Sequence, residues 1–175
     1  CFDLKNQMGI ENIKNREEEL LHLAFKGLDE IKELKILADN VRDRLGIISF
    51  YVESIHYNLL VQILNDKYGI QTRGGCACAG TYGHFLLEVS YEKSQEITDK
   101  ISHGDLSEKP GWVRWSLHPT MTNKEVELMI TALKDIIANI EDYKKDYTYD
   151  NRTNVFWHKN EKSDEAMMKS WFTLD

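Results

Sequence analysis

Arg73-Gly74-Gly75-Cys76-Ala77-Cys78-Ala79-Gly80 is the stretch on which the fold of this chain turns. Two cysteines one residue apart stand among three glycines and two alanines, so little side-chain bulk covers the sulfurs. Such a segment can present a thiol, hold a metal or simply turn a corner, and its neighbours must decide. Upstream, Gly46-Ile47-Ile48-Ser49-Phe50-Tyr51-Val52 is rich in β-branched and aromatic residues and reads as a buried strand. Leu59, Leu60, Ile63 and Leu64 then recur at helical spacing, with Ser54 as the expected cap and Gly69 as the expected left-handed stop. Residues 70–72 read as a brief strand leading into the cysteines.

Working outward, apolar Ile10, Ile13, Leu20, Leu21, Ala24, Leu28 and Ile31 predict a helix over 10–31, with Glu17, Glu18 and Glu19 on its outer face. Residues 34–38 predict a short strand and 39–44 a charged turn. Past the cysteines, 82–101 is helix-like, though polar in its second half. Trp112-Val113-Arg114-Trp115-Ser116-Leu117 alternates as a strand that puts Trp112, Arg114 and Ser116 on one face. Thr122-Asn123-Lys124-Glu125 is a capping box opening a helix whose buried stripe is Val126, Met129, Ile130, Leu133, Ile137 and Ile140. Residues 142–175 are aromatic and charged without a clean period, and predict an irregular tail packing Phe156, Trp157 and Trp171 on some surface. The pattern is an α+β fold, a small sheet with helices packed on one face.

At 175 residues the chain suits one domain with a respectable core, and its 42% hydrophobic and 29% charged content is ordinary for a globular protein. A formal charge of -7 argues against a nucleic-acid or anionic-membrane surface, which needs clustered Lys and Arg. No apolar run approaches the roughly 20 residues of a membrane helix. Three cysteines make a poor disulfide framework and fit a reducing, cytoplasmic setting. A start on Cys1 hints at a piece of something longer.

For the cysteine segment itself three readings stand. Cys76 and Cys78 with His84 supply three ligands at most, whereas structural zinc wants four, usually from C-x₂-C pairs, so no metal site is expected. Small buried cysteines on a glycine turn need no chemistry at all. A reactive thiol is favoured by access and by Arg73, since a nearby cation raises the thiolate fraction.

The order of elements, with Arg73-Gly74-Gly75-Cys76-Ala77-Cys78-Ala79 and Val113-Arg114-Trp115-Ser116 at their observed separation, resembles the C-terminal small domain of class V, fold-type-I pyridoxal-phosphate enzymes. Within that superfamily it looks most like the cysteine desulfurase and selenocysteine lyase branch. The resemblance implies a small domain over residues 1–141, followed by the 142–175 tail. The large domain that carries the cofactor's lysine and phosphate cradle would lie outside this chain, making it a fragment, inactive alone. His158-Lys159 lacks the Gly-rich sequence that follows the family's lysine and reads as surface.

By that resemblance Cys78 is the catalytic thiol that takes sulfur from a cysteine or selenocysteine substrate as a persulfide. Arg114 would bind the substrate's α-carboxylate, for which a planar guanidinium fork suits bidentate contact, and Arg73 would help shape the site. Where histidines commonly precede the cysteine in that branch, this sequence has Cys76 and Ala77; Cys76 is a possible second thiol, receiving sulfur from Cys78. A sulfur-acceptor protein and a homodimeric parent are implied by resemblance alone. Alternatives are a class V aminotransferase, lyase or epimerase without a persulfide step, in which only Arg114 keeps its role, and a stand-alone persulfide-accepting carrier. A metal-binding module is a weaker one.

Overall fold

A computed structural model describes residues 2–76 and 80–160 of the chain. Four strands, β1 (Leu34–Ile36), β2 (Ile47–Val52), β3 (Arg73–Gly75) and β4 (Trp112–Ser116), form one antiparallel sheet in the order β1-β2-β4-β3. The short helix α1 (Phe2–Met8) precedes three longer ones, α2 (Ile10–Leu28), α3 (Tyr57–Tyr68) and, after two further helices, α6 (Asn123–Ala138). Alternation along the strands sends Ile48, Phe50 and Val52 of β2 and Val113 and Trp115 of β4 to one side, all buried. There they meet Leu20, Ala24 and Leu28 of α2, Leu60, Ile63 and Leu64 of α3, and Val126, Met129 and Leu133 of α6. Helices α2 and α6 approach closely at Gly27, where a Cβ would lie 2.6 Å from Ile130 Cγ1. The expected α+β class, with these helices on one face, holds.

The Thr122–Glu125 capping box is present, the Thr122 hydroxyl accepting from Glu125 N–H and the Glu125 carboxylate accepting from Thr122 N–H. Gly69 closes α3 in the left-handed region at φ 64. Several expectations need correction. His56, not Ser54, caps α3: its Nδ1 accepts from Asn58 N–H at 3.1 Å. Residues 70–72 are not a strand, because the Ile70 N–H is used on Leu64 O at 3.0 Å to finish the helix end, and pairing begins at Arg73. The 82–101 helix is two helices, α4 (Gly80–Leu86) and α5 (Tyr91–Ser102), broken by Glu88 at φ 53 and restarted by a Ser90 cap. On α6, Ile136 is buried where Ile137 was expected.

The expectation of an irregular tail is overturned for 147–158. After α7 (Ile140–Tyr143), β5 (Tyr147–Asp150) and β6 (Val155–His158) pair as an antiparallel hairpin. The turn is built by Asp150, whose carboxylate accepts from Arg152 N–H and Thr153 Oγ1, and by Asn154 at φ 58, a conformation that Asn tolerates. Phe156 packs on the core while Trp157 is exposed; Trp171 lies outside the described residues.

Candidate active site

The side of the sheet turned away from α2, α3 and α6 is the chemically unusual one. In the antiparallel register Arg73 of β3 faces Arg114 of β4, and Arg114 faces Ser49 of β2. Residues facing each other across an antiparallel pair put their Cβ atoms about 4.5–5.5 Å apart on the same face. The two arginines therefore share the face opposite the helices, with the Ser49 hydroxyl next in the row. Among the described residues neither arginine's side chain has a hydrogen bond or an ion pair, and the Nε of Arg114 is buried without a partner. Like charges directly opposite each other are destabilising, and a buried donor without an acceptor costs more. An anion with two oxygens would relieve both, and a planar guanidinium fork suits a carboxylate.

The remainder of this face is Lys35, Ile47, Tyr51, Gly75, Ser116 and Trp112. Ile47 and Ser116 are exposed and Tyr51 is half-buried, its phenol pushed up by burial and then by the charges of Glu53 and Glu88. Trp112 is the covered exception: Gly83 of α4 lies against it, so close that a Cβ there would be 3.4 Å from the indole.

The thiol segment begins where β3 ends. Cys76 is half-buried, beside Gly83. Cys78, the expected catalytic thiol, lies outside the described residues, so the row of arginines is placed and that sulfur is not. Beneath β3 sits Tyr57: a Cβ on Gly74 would be 2.6 Å from Asn58 Oδ1 and 3.1 Å from Tyr57 Cδ2, and one on Gly111 would be 2.6 Å from Tyr57 Cε1. The Tyr57 phenol is pushed up, first by burial, against a hydrogen bond from Asn154 that lowers it, with nearby Cys76 adding a smaller upward push.

His84 is taken up by Ser94, its Nδ1 lying 2.6 Å from the hydroxyl, and so ties α4 to α5. His158 Nδ1 accepts from Asn160 N–H, and Lys159 donates to the Lys145 carbonyl, which places the His-Lys pair in the hairpin's hydrogen bonding. Among the described residues no three His, Cys, Asp or Glu side chains are grouped as a metal site would need. No helix among them is long and apolar enough to cross a membrane.

The sequence profile of the family described as aminotransferase class-V matches residues 1–129. The chain belongs to that family. A cysteine desulfurase of Escherichia coli O8 is 35% identical over 136 residues, covering 78% of this chain and 28% of that protein. A probable cysteine desulfurase of Synechocystis sp. is 28% identical over 144 residues, covering 81% of this chain and 29% of that protein. In fold, the chain resembles the apo cysteine desulfurase of Thermococcus onnurineus NA1, with a TM-score of 0.53 and 23% identity over 77% of this chain and 28% of that one. The chain thus spans between about a fifth and three-tenths of the length of the curated relatives it matches.

Within this class-V aminotransferase segment, strands β2, β3 and β4 carry no lysine. Lys93 and Lys100 pair with Glu108, Lys134 with Glu30 and Lys144 with Glu141. Lys35 of β1 stands on the Arg114 face of the sheet opposite Tyr51, and no lysine stands in the Ser49–Arg114–Arg73 row itself. Sequence reasoning named Arg73 and Arg114 but not the residues around them, Ser49, Tyr57 and Asn154. For Ser49 the signal was present, a hydroxyl on the outward parity of β2. For Tyr57 and Asn154, 97 residues apart and joined by a hydrogen bond, no local pattern announces the contact.

Proposed function

We propose that this chain is the small domain, residues 1–141 with 142–175 appended, of a cysteine desulfurase-like enzyme whose cofactor is held by other parts of a longer polypeptide. The observation that supports this best is the Arg73–Arg114 row on the sheet face opposite the helices, whose side chains have no partner among the described residues, at the root of a two-cysteine segment. In this reading Arg114, its Nε without an acceptor, receives the α-carboxylate of a cysteine substrate, and Arg73 supplies the second positive charge. Cys78 attacks the substrate's sulfur as a thiolate; a sulfur–sulfur bond forms as the carbon–sulfur bond breaks, leaving a persulfide on Cys78 and releasing the carbon skeleton as alanine. Pyridoxal phosphate supplies the sink for the electron pair of the broken bond. Cys76 is a second resting place for the sulfur before a sulfur-acceptor protein takes it. A cytoplasmic homodimeric parent belongs to the same reading, as does selenocysteine as a further substrate.

The names of the relatives support the reaction class, and that sheet face is the surface such a longer polypeptide would cover. The test uses the polypeptide of the relatives' full length that carries this chain, given L-cysteine, with alanine and persulfide measured separately. Arg114→Lys should raise KM at least tenfold, because an ammonium cannot reproduce bidentate contact. Cys78→Ala should abolish the persulfide adduct of 32 Da together with alanine release. Undiminished alanine release by Cys78→Ala would refute the persulfide step, and an unchanged KM in Arg114→Lys would remove Arg114 from the carboxylate site.

A further inference from the structure

The C-terminal hairpin begins well beyond the stretch matched by the family profile, which ends at residue 129. It nevertheless reaches the root of the thiol segment. Asn154, buried at the hairpin turn, donates from Nδ2 to the Tyr57 hydroxyl at 2.7 Å. Its Oδ1 accepts from the Tyr149 hydroxyl at 2.9 Å, and its backbone carbonyl accepts from Asn58 Nδ2 at 2.5 Å. Both side-chain polar atoms and the carbonyl of one residue are engaged, and two of their partners are the first residues of α3.

Tyr57 and Asn58 are also the residues on which β3 rests. The ring of Tyr57 lies between Gly74 of β3 and Gly111 just before β4, near enough to both that neither could carry a side chain without displacing it. Cys76 directly follows Gly75, the last paired residue of β3, whose partner Trp112 is the residue after Gly111. β3 itself is a three-residue edge strand with two glycines and few means of holding its own position. On its other side the ring stacks on His56 at 4.5 Å between centroids.

We infer that Asn154 is a positioning residue: by fixing Tyr57 it holds the end of β3 and sets how accessible the Cys76 thiol is. The hairpin is then a working part of the site, a strap from the far end of the chain that orders Gly74, Gly75 and Cys76. The significance of this order rests on the proposed function, but its measurement does not depend on catalysis.

Asn154→Gly is the clean perturbation, since glycine keeps the left-handed backbone and the carbonyl that Asn58 uses, and deletes only the two side-chain bonds. In the full chain, amide exchange at 73–76 and iodoacetamide alkylation of Cys76, read by peptide mass spectrometry, should both rise by about threefold to tenfold, the scale of one lost hydrogen bond. Exchange in α6 should stay as it is. Asn151→Ala, which removes only the Asn151–Asp105 contact of the same turn, should leave Cys76 unchanged. If residues 150–154 exchange faster in Asn154→Gly while 73–76 and Cys76 do not respond, the inference is overturned; a uniform rise that includes α6 overturns it as well. Should Asn154→Gly fail to fold, Tyr57→Phe removes the same bond from the other partner and is read by the same two measurements.

Discussion

Gly111→Ala isolates the wedge on which the site depends. Its backbone is not in the left-handed region, so alanine meets no dihedral penalty there, and the whole effect is the new methyl. That methyl would lie 2.6 Å from Cε1, 2.6 Å from Cζ and 2.9 Å from Cδ1 of Tyr57, against the 3.4–4 Å of ordinary contact. The ring cannot swing aside freely, because His56 stacks on it and Asn154 holds its hydroxyl. Overpacking of this kind costs about 1–3 kcal/mol. Against it stands the gain from a less flexible unfolded chain, about 0.4–1 kcal/mol for Gly→Ala. The steric cost wins, leaving a net loss of about 1–2 kcal/mol, which for a chain of this size lowers Tm by about 2–8 °C. Thermal unfolding followed by circular dichroism measures it, with urea midpoints as the second reading. In a Tyr57→Leu background the methyl has room, so Gly111→Ala should there be neutral or slightly stabilising, a coupling of at least about 1 kcal/mol. A Gly111→Ala chain as stable as the original, or equal costs in both backgrounds, would refute the wedge.

Two further outcomes follow from the same corner and its neighbour. The Nδ1 of His56 accepts from Asn58 N–H and so must be unprotonated, and burial holds the ring's pKa below its ordinary value. The unfolded chain therefore takes up the proton more readily, and the contribution of His56 is full above about pH 6.5 and lost as pH falls through the lower folded pKa. His56→Asn, which caps without titrating, should flatten urea midpoints between about pH 5 and 7.5; an unchanged slope would remove His56 as its source. Asp135 accepts from the hydroxyls of both Tyr68 and Tyr143, and these bonds, Tyr143 first, hold its carboxyl below the ordinary range. Its contribution is full above about pH 4 and lost as pH falls through the depressed value. In Asp135→Asn the alkaline absorbance titration should show Tyr143 ionising nearer its ordinary pKa, since the carboxylate is the first cause of its upward shift.

Local rules carried the sequence reading wherever the deciding contacts are local. The alternation of 112–117, the capping box at Thr122 and the left-handed stop at Gly69 each involve residues within one turn or one pleat, and each is where it was expected. Ser54 lost the cap to His56 because a histidine nitrogen becomes an acceptor there only when the ring is fixed by Tyr57, Tyr149 and Phe156, of which the last two lie about ninety residues away. The hairpin was missed for a related reason. Tyr147-Thr148-Tyr149-Asp150 alternates over only four residues, and Val155-Phe156-Trp157-His158 carries apolar or aromatic side chains on both parities, so the period-2 signal is short and blurred until one face is seen to rest on α3.

The arginines show where sequence and register part company. Arg114 alone on an alternating strand could serve an ordinary surface ion pair, and Arg73 alone could be a loop charge. Pairing β3 with β4 at Arg73↔Arg114 sets the two side by side, and among the described residues neither has a carboxylate partner. A shift of one residue would set Arg73 opposite Val113 or Trp115 and send its side chain to the helix-covered face, where the core has no place for a charge. The register is thus fixed by burial on one side of the sheet, while the charge it concentrates faces the other. Holding that register at a three-residue edge strand takes a support from outside the sheet. Tyr57 provides it, and Asn154 in turn provides for Tyr57, so a residue of the C-terminal hairpin helps decide where two guanidiniums point.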